Sequence, residues 1–287
     1  MLKEFKVGLI TPLTGAASAP ALRNLADGSQ RCLHELDITR LNASRDDGLT
    51  ICCGAQGQLL GAAQCSRNSA TTAWLSWLAV ADGASATPVL DTLLGALAQR
   101  LRARRVNELW AVVQPLEWIS PYWTDLGFVR VNRLTTMHAP RERLTLPGAR
   151  AGGGASFEPA SVSHLANMQR VDHAAFAAHW QYSVSMLRDL IATSDSNFVA
   201  LVDGDVAGYV SAVVDSAHAH VTRIAVDPAF AQRGLGAALL KQVALGLQPS
   251  ASITLNTPDD AEPARRLYRK LGFEPTSDPL FVMRCPL

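Results

Sequence analysis

The chain has little charge to spare in either direction. Its 287 residues include 26 basic and 25 acidic side chains, for a formal net charge of +1. A surface that relied on bulk charge to hold nucleic acid or a membrane would need a basic excess, so neither is expected as the main partner. Long apolar runs are also missing. The first apolar stretch, residues 7–10, is too short for the core of a secretory signal, and no run approaches the roughly 20 residues of a membrane span. A soluble, cytoplasmic protein is expected. The five cysteines, Cys32, Cys52, Cys53, Cys65 and Cys285, form no CxxC pair and no Cys/His spacing suited to a metal. Buried thiols in a reducing compartment, and no metal, are the expectation. What the chain does have is apolar content, 48% of its residues. At roughly 150 residues per domain that is enough for two cores.

The sequence repeats itself once. Gly57-Gln-Leu-Leu-Gly61 returns as Gly204-Asp-Val-Ala-Gly208, an offset of 147. Trp77-Leu-Ala-Val80 returns as Arg223-Ile-Ala-Val226 at 146, and Leu126-Gly-Phe128 as Leu271-Gly-Phe273 at 145. Three matches in one order imply two similar domains. Between them, residues 141–156 carry Ala151-Gly-Gly-Gly-Ala155, a run with high backbone entropy that reads as a linker. The boundary is placed near 150, giving domains 1–150 and 151–287.

In the second domain, apolar spacing predicts helices over 162–176 and 183–191. Strands are expected over 197–202 and 206–214, joined by an Asp203-Gly204-Asp205 hairpin turn. A third strand over 218–226 stops at Asp227-Pro228. A helix over 234–248, a strand over 252–255, a helix over 262–271 and a strand over 280–284 follow. The class is mixed α/β.

The segment that carries chemistry runs from Val221 to Leu240. A strand leads through a proline-marked turn into Gln232-Arg233-Gly234-Leu235-Gly236-Ala237 and then an amphipathic helix. Loop amides and a helix N-terminus make an anion site. Gly234 and Gly236 let backbone approach a phosphate without a Cβ in the way. Arg233 adds a fixed positive charge. The other reading is a strand–turn–helix with glycines for close packing, and the loop alone does not separate the two.

Further on stands Ala264-Arg-Arg-Leu-Tyr-Arg-Lys-Leu-Gly-Phe273. Together, Ile-Ala-Val-Asp-Pro, Gln-Arg-Gly-Leu-Gly-Ala-Ala-Leu-Leu and this second motif resemble the GNAT N-acetyltransferase superfamily over at least residues 197–283. The resemblance implies tandem domains, each a mixed, mostly antiparallel sheet flanked by helices, as in the mycothiol synthases, where the C-terminal copy is the active one. It implies acetyl-CoA as donor, with pantetheine between two splayed strands, 218–226 and 252–255. Ile224, Ala225 and Val226 would face the pantetheine and thioester, residues 232–237 the pyrophosphate, and Asn256 the cofactor from the neighbouring strand. Tyr268 matches the position whose hydroxyl serves the leaving sulfur as general acid. The sequence departs from the family at Ala231, before the loop glycines, and at Ala261, before the last helix.

The reaction needs a neutral amine and a protonated thiol. Deprotonating an α-amine at neutral pH costs about 1.4 kcal/mol, and a lysine amine roughly three times more. A base on the central strand would help. The family often has Glu there, where this chain has His220 and His218, which share one strand face. Both are candidates for the base, and half-buried sheet residues are the plainer reading. Residues 172–182, rich in His and aromatics, either line an acceptor pocket or form a packed helix–loop–helix.

In the first domain the loop over 81–90 lacks the glycine pair, has Pro88 where a helix should begin, and places Trp123 at the Tyr268 position. This copy is expected to bind CoA poorly or not at all. The implied acceptor is a small-molecule amine or a peptide N-terminus, and a homodimer is left open. The rival to a catalyst is a non-catalytic acyl-CoA sensor or interaction module.

Overall fold

A computed structural model describes residues 11–12, 19–34, 48–146 and 154–287. The glycine run of the expected linker lies mostly outside the described residues. The chain divides into two compact units, residues 1–131 with 281–287, and residues 132–280.

The first unit comprises β1 (Thr11–Pro12), α1 (Ala19–Gly28), β2 (Arg31–His34), β3 (Gly48–Ala55), β4 (Gln58–Arg67), β5 (Thr72–Val80), α2 (Ala86–Ala103) and β6 (Glu108–Val113). Its strands pair in the order β1-β3-β4-β5-β6. All these pairs are antiparallel except β5 with β6. Leu90, Leu93, Leu97 and Leu101 bury one stripe of α2 against the sheet, at the period a core-facing helix requires. Pro88 does not stop this helix, because it stands in the first turn, where a missing N–H costs nothing. Leu22 and Leu25 of α1 pack with Trp77 and Ala79 in a separate cluster.

After β7 (Val129–Pro140), the second unit adds β8 (Ser156–Pro159), α3 (Leu165–Ala175), α4 (Val184–Thr193), β9 (Ser196–Val202), β10 (Asp205–Val214) and β11 (His218–Val226). It continues through α5 (Leu235–Leu245), β12 (Ser252–Pro258), α6 (Glu262–Lys270) and β13 (Glu274–Pro286). The order is β7-β12-β11-β10-β9-β8, antiparallel except for β11 with β12. α5 and α6 cover one face through Leu235, Leu239, Leu240 and Tyr268, and α3 and α4 cover the other through Met168, Val171 and Leu187. Each unit is therefore a layered α/β domain with a mostly antiparallel sheet, as expected. Asp203 and Gly204 have φ of 53° and 87°, the pair of positive values a two-residue hairpin turn demands.

Two features were not foreseen. Pairing beside β12 comes from residues 134–140 of β7, seven positions long. Pairing beside β6 comes from residues 281–286 of β13. Each unit is thus completed by a strand from the other half of the sequence. The division falls at 131/132 and again at 280/281, where the sequence reading had one cut near 150.

The second feature is a buried ion pair. Asp172 of α3 is fully buried and accepts from Arg223 Nε at 2.9 Å and Nη2 at 2.7 Å, and from the Tyr209 hydroxyl. Its other oxygen accepts from the Tyr182 amide at 2.8 Å. The Arg223 guanidinium lies 3.7 Å from the Phe176 ring centroid and 4.0 Å from that of Tyr182, and donates to the Trp180 carbonyl. Burial works against its charge, but Tyr209, Tyr182 and Asp172 outweigh burial and raise its pKa. The network fastens α3 and the loop after it to β11. Asp172→Ala would strand the guanidinium without its partner, at a cost of about 3–5 kcal/mol. Urea denaturation should show that loss, and a change under about 1 kcal/mol would mean that the charge does not depend on Asp172.

Candidate functional site

β11 and β12 pair in parallel from His218 with Ser252 to Val221 with Leu255, and no further. Beyond that, β11 runs on to Val226 and β12 to Pro258. The parting coincides with a bulge. β10 passes from Ser211, opposite Arg223, to Ala212, opposite Val221, and leaves Thr222 unmatched. The Thr222 hydroxyl donates to the Ser211 carbonyl at 3.1 Å. A bulge bends its strand and increases the local twist, which carries β11 away from its parallel neighbour. Among the described residues, no strand pairs with the edge of 222–226 that faces away from β10.

The bulge also resets which side chains face which layer. Ala219 and Val221 pack with α5 and α6 before it, and Ile224 and Val226 do so after it. Ala225 packs with α3 and α4.

At the end of β11, Asp227 accepts from the Ala229 amide at 2.9 Å and pairs with Arg170 of α3. Gln232 and Gly234 have positive φ, 63° and 80°. That conformation is free for glycine and costs about 1–2 kcal/mol for a residue with a Cβ. The Ala238 amide closes the first bond of α5 onto Gly234 at 3.0 Å. Among the described residues, none of the six amides from 232 to 237 has a hydrogen-bond acceptor. Residues 231–234 are exposed. A row of unpaired donors at the positive end of a helix is an anion cradle. Arg233 stands beside it, its guanidinium 5.1 Å from the Phe230 ring centroid.

Gly236 has a packing reason. A Cβ there would lie 2.9 Å from Leu267 of α6 and 3.9 Å from Val226. Its small size lets α6 close on α5, which brings Tyr268 over the same face of the sheet as Ile224 and Val226. The Tyr268 ring is buried and meets Phe273 edge-on at 5.9 Å. Burial alone pushes its hydroxyl up to about 12, and that hydroxyl has no hydrogen-bond partner among the described residues. At neutral pH it is a protonated donor without an acceptor.

His218 and His220 point to the opposite face. His220 Nδ1 is 2.9 Å from the Thr254 hydroxyl, which is 2.9 Å from His218 Nε2. His218 Nδ1 is 3.0 Å from the Ser252 hydroxyl. The result is a chain, His220–Thr254–His218–Ser252, across the paired part of β11 and β12. Burial first, and the neighbouring His218 second, lower the His220 pKa to about 4. Thr254 and Ser252 were not singled out from the sequence, because only the register of β11 on β12 brings residues 34 positions apart together. Asn256 is the first residue of β12 beyond that register, and it accepts from the Thr136 hydroxyl at 2.8 Å.

Residues 172–182 pack around a buried cation. Phe176 and Tyr182 close over Arg223, and Gln181 donates to the carbonyls of His173 and Phe176. Among the described residues, no cluster of three His, Cys, Asp or Glu could hold a metal ion, and no helix is long and apolar enough to cross a membrane.

Comparison with known proteins gives this geometry a context. Residues 163–273 match the acetyltransferase (GNAT) family. No curated protein sequence matches the chain. Among solved structures, a tandem GNAT protein from the clavulanic acid biosynthesis pathway, determined without AcCoA, superposes with a TM-score of 0.58 at 17% identity. The match covers 85% of this chain and 84% of that one. GCN5-related N-acetyltransferases from Kribbella flavida and Sphaerobacter thermophilus give TM-scores of 0.63 and 0.55 at 12% and 13% identity. They are matched over 96% and 83% of this chain and 70% and 80% of theirs. At such identities the likeness is one of fold.

The His220 environment predicts a pH response. Its folded pKa lies below the ordinary 6.5, so the unfolded chain takes up the proton first as pH falls. This contribution to stability is fully present above pH 6.5, declines between 6.5 and about 4, and is flat below that. The loss is on the order of 3 kcal/mol. Urea titrations at pH 7.5 and 4.5 should show a wild-type difference that His220→Asn reduces by about that amount. An equal difference in both proteins would place the response elsewhere.

Proposed function

We propose, from the match of residues 163–273 to the acetyltransferase (GNAT) family, that this domain is an acyltransferase that moves an acetyl group from acetyl-CoA to a primary amine by direct attack in a ternary complex. The family takes acyl-CoA donors. The observation that carries the reading is the pairing of six unbonded amides at 232–237 with the open edge of 222–226. One offers donors to a pyrophosphate, the other backbone groups to an extended pantetheine amide chain. Both are unsatisfied within the protein, as a pre-formed site for a polar, extended ligand requires.

In the reaction the amine nitrogen bonds to the thioester carbon, the C–S bond breaks, the nitrogen loses a proton and the sulfur gains one. Tyr268, held protonated by its burial, donates its hydroxyl to the leaving sulfur. His220 stays neutral at physiological pH and so offers a lone pair. A ring with a pKa of about 4 is too weak a base to keep an amine's proton. It passes the proton through the Thr254 hydroxyl to His218, and from there by way of the partly exposed Ser252 hydroxyl to solvent water. The donor of the sulfur's proton and the acceptor of the amine's proton lie on opposite faces of the sheet, and the gap between β11 and β12 is where one ligand can reach both. The acceptor is a small amine or a peptide N-terminus. An α-amine suits so weak a base better than a lysine side chain, because its proton is held about two pKa units less tightly.

The low basicity of His220 also favours a second reading, a non-catalytic acyl-CoA sensor. Calorimetry with acetyl-CoA and a thiol-release assay against a panel of amines separate the two. A catalyst should bind acetyl-CoA, and Tyr268→Phe should lower turnover by about 10²–10⁴-fold while leaving that affinity within about twofold. Gly234→Trp, checked by circular dichroism for an intact fold, should abolish binding. Tight binding with no turnover on any amine would favour the sensor. No binding at all would defeat both.

A further inference from the structure

The first unit repeats the parting of strands, and there the gap is filled. β5 and β6 pair in parallel from Thr72 with Glu108 to Trp74 with Trp110, and then stop. A bulge on the β4 side follows, between Gln64 and Cys65, which leaves Ser76 unmatched. Ser76 precedes Thr222 by 146 positions, the offset of the sequence repeat. Residues 77–80 of β5 therefore correspond to residues 223–226 of β11. In the second unit, among the described residues, that edge has no strand on it. In the first it pairs antiparallel with β2, through Arg31 with Val80, Cys32 with Ala79, Leu33 with Leu78 and His34 with Trp77.

The segment leading into β2 also fills the turn after β5. The Ser29 hydroxyl donates to the Val80 carbonyl. The Gln30 amide lies 3.2 Å and 3.3 Å from the two carboxylate oxygens of Asp82, and Arg31 Nη1 donates to the Ala84 carbonyl at 2.6 Å. In the second unit the corresponding turn leads to six unbonded amides. In the first, an acidic side chain and a carbonyl stand there and are bonded to the chain itself. Leu33, 3% exposed, is sealed into the core with Leu78 and Val80.

We propose that the groove of the first unit is a strand-binding site whose resident is β2 of the same chain, lying where the second unit takes the pantetheine arm of acyl-CoA. A peptide strand and pantetheine both meet a sheet edge with amide groups, so one groove can serve either. The chain then binds one acyl-CoA, and the first unit is closed to it by occupation as well as by its altered loop. The inference rests on the acyl-CoA reading of the second unit.

Amide hydrogen exchange, resolved by peptide and run with and without acetyl-CoA, tests both readings separately. Residues 77–80 should exchange at least tenfold more slowly than residues 222–226 in the ligand-free protein, and acetyl-CoA should leave their rate unchanged. Acetyl-CoA should slow residues 222–226 by tenfold or more, and calorimetry should give one site per chain. Fast exchange at 77–80 without ligand, slowing there on addition of acetyl-CoA, or two sites per chain would each overturn the proposal. If 222–226 ignore acetyl-CoA, the acyl-CoA reading of the second unit falls, while the ligand-free rate at 77–80 still decides whether β2 holds that edge.

Discussion

Four residues of β11, from His218 to Val221, pair with β12, and five do not. The rest of the site depends on that limit. Where the strands pair, their side chains form a closed polar chain of two histidines and two hydroxyls. Where they do not, among the described residues no strand bonds that edge of the backbone. Thr222 marks the change, and the same residue reverses the sense in which side chains alternate between the helical layers. A one-residue irregularity thus separates a stretch of linked side-chain hydrogen bonds from a stretch of unpaired backbone edge.

An open sheet edge in the middle of a domain weakens it, because pairing and packing are lost together. The opposing weight lies on the far face. Arg223 stands next to the bulge, and its guanidinium is held by Asp172, the Trp180 carbonyl and two aromatic rings. This gives the aromatic residues of the stretch at 172–182 a packing role. Its rings cover a buried cation, and Asp172 fixes the helix that carries it. The second unit keeps β11 in place from one side so that its edge can stay unpaired. The first unit has no need of such a clamp, since β2 supplies the missing pairing.

Most elements of the second unit were legible in the sequence, because alternation and helical spacing are local signals. β11 was read at 218–226, as found, and α5 began one residue later than expected. The loop glycines were legible too, although Gly234 and Gly236 act differently: one adopts a left-handed backbone, the other admits Leu267. The partnership of His218 with Thr254 was not legible, since it follows from a parallel register that no short stretch encodes. The origin of the strands that complete each unit was equally hidden. Residues 280–284 read as an ordinary final strand and 134–140 were assigned no element, and nothing in either segment says whose sheet it will join.

That exchange has a consequence for synthesis. A ribosome releases the bulk of the first unit early, yet β6 has to wait for residues 281–286, which come about 170 residues later. At roughly 5–20 residues per second this is on the order of ten to thirty seconds. During that interval β6, with Leu109 and Ala111, is a bare apolar margin. The second unit, by contrast, receives its borrowed strand before its own residues are made. All strands of the second unit can therefore be present before residues 281–286 emerge, and the first unit is completed only by them.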